Sequence, residues 1–271
     1  MKESRVAVIT GAANGIGRAM AIRFAQAGFR LGLIDYDKEA LEALGNLLAR
    51  DHGALTVCLD EDLNNTESVD RMVASILDRL GRIDVLINNA AWRSLETMRE
   101  ISIQNWEKTL RVCLTTPAFL TRRAAESMIE RAEGGVVINV SSVMADRPGG
   151  YCPAYSAAKA GMEALTRELA ILYGRRNIRV FCLKLGNVVT ALSQDYTENK
   201  GENISDQLIG DMEQSTPIGR SISTKEIAEV VHWLSSADTA LMTGSSFALD
   251  GGFLVNFNNY NLKERMFPEA F

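Results

Sequence analysis

Short apolar runs alternate along the chain with segments whose apolar residues recur at helical spacing. Residues 69–80 show the helical spacing most clearly, because an apolar side chain returns every three or four positions. Seven runs predict strands: Arg5–Thr10, Arg30–Asp35, Ala54–Leu59, Asp84–Asn88, Val136–Ser141, Arg179–Leu185 and Ser246–Leu249. Apolar strands that are each followed by a helix predict an α/β fold with a doubly wound parallel sheet of about seven strands and helices on both faces.

Two regions depart from this alternation. Residues 190–223 are polar and separate the sixth strand from the next helix, which predicts a loop-helix insertion on the substrate side of the sheet. Residues 253–271 follow the last strand and predict a tail that packs on a partner subunit. The sequence contains no repeat and no linker rich in Pro, Gly or Ser, so residues 1–271 are predicted to form one domain.

Composition narrows the functional classes. The net charge is −5 without a basic stripe, which argues against nucleic-acid binding. No apolar stretch reaches the roughly 18 residues that a membrane span requires, and the first run is too short for a signal peptide. We therefore expect a cytoplasmic protein. The four cysteines and two histidines lack the spacing of a metal site, and we predict neither a metal nor a disulfide.

A glycine-rich turn joins the first strand to the first helix. The segment contains Gly11, Asn14, Gly15, Ile16 and Gly17. Glycine lets a backbone approach a pyrophosphate closely, and the following helix N-terminus supplies partial positive charge. The same glycines would also suit a plain turn. The strand before and the helix after favour a dinucleotide site in a Rossmann fold.

Asp35 ends the second strand, eighteen residues after Gly17. A carboxylate there can accept hydrogen bonds from both adenosine-ribose hydroxyls and would repel a 2′-phosphate. No Lys or Arg lies between Gly11 and Gly17 to offset that repulsion. The cofactor is therefore predicted to be NAD. The alternative is that Asp35 only caps the next helix.

Tyr155 and Lys159 stand four residues apart on one face of a predicted helix, and Ser142 lies thirteen residues upstream at the end of the fifth strand. The same Tyr–Lys spacing occurs at Tyr196 and Lys200. The residue thirteen positions before Tyr196 lies inside a strand, so the second pair is interpreted as a solvated surface pair.

With these motifs the chain resembles the short-chain dehydrogenase/reductase family of the single-domain type, from about Arg5 to Gly252. The resemblance implies catalytic roles for Ser142, Tyr155 and Lys159, and family members are often tetramers, so a homotetramer or dimer is expected. It also implies further cofactor contacts, at Asp62, Leu63, Asn89, Ala90, Gly186, Val188 and Thr190.

The chemistry explains why these residue types are needed. Hydride transfer to a carbonyl builds negative charge on oxygen, which must receive a proton. A free phenol has a pKa of about 10, and a cation about 4 Å away is worth roughly 4 kcal/mol at an effective dielectric constant of about 20. We therefore expect Lys159 to lower the pKa of Tyr155 so that the phenol works as general acid or base. Ser142 would hold the substrate oxygen. The resemblance also assigns Lys159 the nicotinamide-ribose hydroxyls.

Three positions depart from the family pattern. Cys113 stands where the family commonly has an asparagine linked to a water relay, and a thiol is a weak donor and acceptor. Leu185 replaces a proline before Gly186, which predicts a freer loop. Ala91 replaces a glycine, and we expect the local backbone to be allowed for alanine.

Five residues near the reaction centre are candidates for substrate contacts: Trp92, Arg93, Met144, Arg147 and Tyr151. Two arginines can grip a carboxylate or a polyol, which favours a polar small molecule such as a sugar, sugar acid or hydroxy acid. The alternative is that Arg93 and Arg147 are surface residues paired with acids such as Glu96 and Asp146.

Two other functions remain open. The first is a 3-oxoacyl or other carbonyl reductase, although Asp35 argues against the NADPH that such reductases mostly prefer. The second is a regulatory or scaffold protein that binds NAD without turnover. The complete set of Ser142, Tyr155 and Lys159 argues against the scaffold, whereas Cys113 in place of the family asparagine leaves it open.

Overall fold

A single parallel sheet of seven strands forms the centre of the computed structural model, which describes residues 4–198 and 201–271. The strands are β1 (Val6–Thr10), β2 (Arg30–Asp35), β3 (Thr56–Asp60), β4 (Val85–Asn88), β5 (Gly135–Ser142), β6 (Ile178–Leu185) and β7 (Ser246–Leu249). Their order across the sheet is β3-β2-β1-β4-β5-β6-β7. The predicted doubly wound Rossmann sheet is confirmed, and the predicted strand ends lie within two residues of the observed ones.

Helices connect the strands and cover both faces of the sheet. In the described residues they are α1 (Gly15–Gln26), α2 (Lys38–His52), α3 (Val69–Leu80), α4 (Ile103–Leu110), α5 (Thr116–Glu130), α6 (Pro153–Tyr173), α7 (Ser205–Gln214), α8 (Thr224–Leu234) and α9 (Tyr260–Met266). A π-helical turn, Arg111–Thr115, joins α4 to α5. None of the helices in the described parts of the chain is long and apolar enough to cross a membrane.

The core consists of two apolar layers, one on each face of the sheet. Met20 and Phe24 of α1 pack on one face together with Val231 of α8. Met72 of α3 and Leu120 of α5 pack on the other. The strand order reverses between β1 and β4, because β1 pairs with β2 on one side and with β4 on the other. Ligands of doubly wound sheets bind at this point, beyond the carboxyl ends of the strands.

The two predicted irregular regions lie near that edge. Residues 190–223 contain a 3-10 turn at Ala191–Ser193 and then α7, and Val188 pairs with Ile222 across the base of the segment. The tail after β7 contains a turn at Phe253–Val255 and the short helix α9. Phe257 between them is 91% exposed.

Two buried asparagines connect the sheet to the helices beside the ligand edge. The Asn88 amide donates to Asn139 Oδ1 at 2.8 Å and to Thr121 Oγ1 at 3.0 Å, and the Asn139 amide donates to Thr166 Oγ1 at 2.9 Å. These bonds join β4, β5, α5 and α6. Because all four side chains are buried, each bond replaces a contact with water that folding has removed.

We expect Asn139→Leu to lower the free energy of unfolding by about 2 kcal/mol, because it leaves the Asn88 amide and the Thr166 hydroxyl without this partner. Urea denaturation measures the change. Thr166→Ser, which keeps the hydroxyl, is the matched control and should unfold near the wild-type midpoint. An unchanged midpoint for Asn139→Leu would contradict a stabilising role for the bonds.

Candidate active site

The glycine-rich turn after β1 is packed too tightly for a side chain at two positions, Gly11 and Gly17. Gly11 has φ +62°, and a Cβ built on it would lie 2.8 Å from the Ala90 Cα atom. A Cβ on Gly17 would lie 1.9 Å from the Gly11 carbonyl oxygen. The two glycines therefore allow the turn to press against both the start of α1 and the segment after β4.

The N-terminus of α1 lies beside this turn without a side-chain cap. Asn14 occupies the N-cap position but its side chain accepts no hydrogen bond from the first turn. By contrast, Asp37 caps α2 and Ser102 caps α4. The first N–H groups of a helix that lacks such a cap suit an anion such as a pyrophosphate.

The Asp35 carboxylate is held at the edge of the same turn. Its Oδ2 accepts from the Ala13 N–H at 2.9 Å and its Oδ1 from the Asp37 N–H at 3.1 Å. The cap of α2 is Asp37, whose carboxylate accepts from the Ala40 N–H at 3.1 Å. The interpretation of Asp35 as a helix cap is therefore wrong. Its carboxylate is held beside the glycine-rich turn by the Ala13 N–H.

The segment after β4 borders the turn on another side. The Asn89 amide donates to the carbonyls of Thr10 at 2.9 Å and Gly11 at 3.1 Å, and the Ala90 N–H donates to Thr10 Oγ1 at 3.0 Å. After β3, the Asp62 carboxylate accepts from the Asn64 N–H at 2.8 Å. The following Leu63 is buried, and its carbonyl accepts from Thr116 at 2.7 Å.

Ser142, Tyr155 and Lys159 line one pocket at the carboxyl edge of the sheet. Ser142 ends β5, and α6 carries Tyr155 in its first turn and Lys159 in its second. Ser142 is hydrogen-bonded to Tyr155, and its Oγ also accepts from the Met144 N–H at 3.2 Å. The Lys159 Nζ donates to the Val140 carbonyl at 2.6 Å and lies 5.4 Å from the centre of the Tyr155 ring.

Lys159 acts on the Tyr155 pKa in the expected direction, downwards, but an opposing effect that the sequence did not reveal is larger. Burial removes the phenol from water and raises its pKa above the ordinary value. Lys159, Arg93 and the hydrogen bond from Ser142 act in the opposite direction, but burial is the largest effect. Burial therefore favours the neutral phenol of Tyr155 over the phenolate.

The loop after β6 carries the residues for which the family resemblance predicts contacts with the nicotinamide part of the cofactor. Gly186, Val188 and Thr190 line the pocket. Leu185, which stands in place of the family's proline, pairs in register with Ser142 and Leu249, and the Gly186 N–H donates to the Leu249 carbonyl at 3.0 Å.

Four of the five substrate candidates line the pocket: Arg93, Met144, Arg147 and Tyr151. Trp92 does not, and its ring instead lies 4.3 Å from the Lys108 ammonium. The predicted alternative acid partners are wrong. Arg93 pairs with Asp195 at 2.8 Å, and Arg147 donates to the Phe253 carbonyl at 3.0 Å.

The expectation for Tyr196 is also wrong. It was predicted to be half of a solvated surface pair with Lys200, which lies outside the described residues. Tyr196 instead lines the pocket, edge-on to Tyr151 with ring centres 5.9 Å apart. Leu208, Ile209, Met212 and Phe253 also line the pocket and were not predicted. The only signal in the sequence was the position of residues 190–223 after a strand end.

A second unpredicted group lies behind Lys159. The Lys184 ammonium bridges Asp146 at 2.5 Å and Glu163 at 3.4 Å. Ser141 donates to the Lys159 carbonyl at 3.2 Å and to Glu163 at 3.5 Å. These contacts hold the turn of α6 that carries Lys159 against the ends of β5 and β6.

Cys113 lies in the π-helical turn and contacts the backbone next to the pocket. Its Sγ donates to the Trp92 carbonyl at 3.3 Å and accepts from the Trp92 N–H at 3.5 Å. Burial raises the pKa of this thiol. Ala91, the other departure, is unstrained, because Ala132 and Asn177 are the only described residues besides glycine with positive φ.

All four cysteines are free thiols, with Cys58 half-buried and the other three buried. In the described parts of the chain, no three His, Cys, Asp or Glu side chains are grouped so that they could hold a metal ion.

Comparisons with known proteins agree with this arrangement. A family model described as "Enoyl-(Acyl carrier protein) reductase" matches residues 11–254. "Short chain dehydrogenase/reductase astE" of Aspergillus oryzae is 31% identical, over 92% of this chain and 95% of its own. "D-threitol dehydrogenase" of Mycolicibacterium smegmatis is 32% identical, over 93% and 94%. L-sorbose reductase from Gluconobacter frateurii, solved with NADPH and L-sorbose, superimposes with a TM-score of 0.86 at 29% identity, over 94% and 98%.

We expect Cys113→Asn to retain turnover or increase it, because an amide carries both a donor and an acceptor for the two Trp92 backbone groups. Steady-state rates measure the outcome, with circular dichroism to check folding. Cys113→Ala, which can make neither contact, is the control and should be slower and less stable. A folded Cys113→Asn variant without any turnover would contradict the prediction.

Proposed function

The chain belongs to the short-chain dehydrogenase/reductase family of oxidoreductases, and on that premise we propose that it transfers a hydride between NAD(H) and a secondary alcohol or ketone of a small polar molecule. A sugar, sugar acid or hydroxy acid is favoured. The observation that carries the proposal is the shared pocket of Ser142, Tyr155 and Lys159 beside the glycine-rich turn. The names of the threitol and sorbose enzymes support a hydroxylated substrate.

The residues around the turn fit a dinucleotide. Gly11 and Gly17 stand where a Cβ would clash, the α1 N-terminus lacks a side-chain cap, and Asp35 has its carboxylate anchored by two N–H groups. The residues that would hold the cofactor are Gly11, Asn14, Gly15, Ile16, Gly17, Asp35, Asp62, Leu63, Asn89, Ala90, Tyr155, Lys159, Gly186, Val188 and Thr190. When bound, the nicotinamide supplies or accepts the hydride.

The three catalytic side chains divide the proton chemistry. Tyr155 donates its phenolic proton to the developing alkoxide in reduction and takes the hydroxyl proton in oxidation. Ser142, hydrogen-bonded to Tyr155, offers its hydroxyl to the same substrate oxygen. Lys159 favours the phenolate by its charge and thereby opposes the effect of burial on Tyr155.

We propose NAD rather than NADP because of Asp35. Its carboxylate would lie against a 2′-phosphate, and no Lys or Arg between Gly11 and Gly17 offsets that repulsion. The alternative is an NADPH-dependent carbonyl reductase, such as a 3-oxoacyl reductase, and the NADPH bound to L-sorbose reductase is the observation that favours it. A scaffold without turnover has less support, since the catalytic trio meets in one pocket.

We also propose that this one-domain enzyme works as a homotetramer or dimer. Apolar side chains on the outer faces of α5 and α6 are exposed, with Phe119 at 44%, Ile171 at 80% and Leu172 at 62%. These faces, together with the tail after β7, suit contacts between copies of the chain. A cytoplasmic location agrees with the four free thiols.

Asp35 should set the choice of cofactor. We expect the wild-type enzyme to show kcat/KM for NAD at least about 100-fold above that for NADP, because like charges side by side cost several kcal/mol. Asp35→Ser should lower the value for NAD and raise that for NADP. Asp78→Asn, on the exposed face of α3, is the control and should change neither. Equal use of both cofactors by the wild type would favour the alternative reductase.

Tyr155 should set the pH dependence. Because burial raises its pKa, we expect alcohol oxidation with NAD to accelerate with pH through the alkaline range. Lys159→Met removes the opposing charge and should move that rise to higher pH. Tyr155→Phe should lower kcat at least about 100-fold, the usual contribution of a general acid or base.

The measurement is the absorbance of reduced nicotinamide, with a panel of sugars, sugar acids and hydroxy acids. Tyr173→Phe, at the far end of the same helix, is the matched control and should keep wild-type rates. Exclusive turnover of steroids or acyl thioesters would overturn the proposed substrate class. Full turnover by Tyr155→Phe would overturn the catalytic assignment.

A further inference from the structure

The segment after β6 forms an apolar wall of the pocket. Leu192 and Tyr196 contribute from its first part, and Leu208, Ile209 and Met212 contribute from α7. Phe253, at the start of the tail, adds a ring to the same wall. A substrate that fills the pocket therefore contacts these apolar side chains as well as the polar groups of Ser142 and Tyr155.

Arg93 is the charged residue buried in that wall. Its side chain is only 3% exposed. The Nη2 atom donates to Asp195 Oδ1 at 2.8 Å and to the Leu192 carbonyl, and the guanidinium carbon lies 4.8 Å from the centre of the Tyr196 ring. Three contacts thus hold Arg93 against residues 192–196.

The other terminal nitrogen of Arg93 is left without a partner. Nη1 is buried and makes no hydrogen bond to any described residue. A buried cationic donor without an acceptor is costly, and an oxygen anion relieves that cost better than any neutral group. Because neighbouring atoms cover Nη1 in this conformation, we expect residues 192–196 to shift when an acceptor binds.

The charged residues that line the pocket all have one sign. Arg93, Arg147 and Lys159 are among the described residues that line it, and none of those lining residues is Asp or Glu. Asp195 pairs with Arg93 but does not line the pocket. Its side chain is 46% exposed, so solvent screens its effect on the pocket. A pocket of this kind concentrates anions.

We infer that Arg93 receives the carboxylate of the substrate through Nη1, and that the substrate is a small hydroxycarboxylate whose remaining carbon chain packs on the wall of α7. This inference rests on the proposed function and narrows its substrate class. Arg93 binds the carboxylate while Ser142 and Tyr155 hold the hydroxyl that is oxidised. Arg93 is a specificity-determining residue, and it affects proton transfer only through the influence of its charge on the Tyr155 pKa.

Matched substrates test the inference. NAD-dependent oxidation is measured for 2-hydroxyhexanoate, 3-hydroxyhexanoate and their methyl esters, which keep the carbon chain but lose the charge. For the preferred acid we expect a KM at least about 10-fold below that of its ester. Arg93→Gln should raise the KM of the acid about 10- to 100-fold, as for loss of a hydrogen bond between charged groups, and leave the KM of the ester nearly unchanged. Any change in kcat that arises because Tyr155 loses a nearby cation should be the same for the acid and the ester.

Two further variants separate substrate binding from a purely structural role. Asp195→Asn breaks the ion pair but keeps the guanidinium, and we expect it to preserve or tighten acid binding. Arg220→Gln removes an exposed arginine paired with Glu226 and should behave as the wild type. If Arg93→Gln and Asp195→Asn weaken acids and esters alike, Arg93 only holds the segment and the inference is wrong. A wild type without preference for the acid also overturns it.

Calorimetry distinguishes this failure from failure of the proposed function. 2-Hydroxyhexanoate and 3-hydroxyhexanoate are each titrated into wild type and Arg93→Gln, both saturated with NADH, so no turnover is needed. Binding that depends on Arg93 without any NADH formation in the rate assay would support the inference and overturn the proposed function. NAD-dependent oxidation of the esters, without binding of either acid, would support the proposed function and overturn the inference.

Discussion

Burial of the Tyr155–Lys159 pair against the end of β5 is the constraint on which the site depends. The ammonium gives up water for one carbonyl, that of Val140 at 2.6 Å, and the phenol gives up water for Ser142. Such a pair is stable only where neighbouring groups hold it in register. Ser141 provides part of that support by its bond to the Lys159 carbonyl, and Thr166 adds to it one helical turn beyond Glu163.

Because of the same burial, the acidity of the Tyr155 phenol depends on the cations around the pocket. Because removal from water raises the Tyr155 pKa, each nearby cation affects the ease with which the phenol gives up its proton. Lys159 approaches from the same helix, whereas Arg93 approaches from the segment after β4. One arginine therefore links the substrate wall, through Asp195 and Tyr196, to the electrostatics of the phenol.

Elements with a local signal could be predicted from the sequence. The seven strands were recognised from apolar runs. The glycine-rich turn was recognised from glycines at positions where the fold cannot accommodate a side chain, as at Gly17. Tyr196 could not be placed in this way. Its surroundings come from Tyr151 and Arg93, which lie far from it in the chain, and a Tyr–Lys spacing says nothing about which face is solvated. The partners of Arg93 and Lys184 escaped prediction for the same reason.

The sequence by itself determined the order of strands and helices and the residue types at their junctions, because hydrophobic periodicity and backbone sterics act over a few neighbouring residues. It also determined that Ser142, Tyr155 and Lys159 occupy the end of one strand and one face of one helix. Only the tertiary structure decided which charges meet and how deeply they are buried. That is why the shift of the Tyr155 pKa and the unpaired nitrogen of Arg93 emerged from folding: both depend on groups brought together from distant parts of the chain.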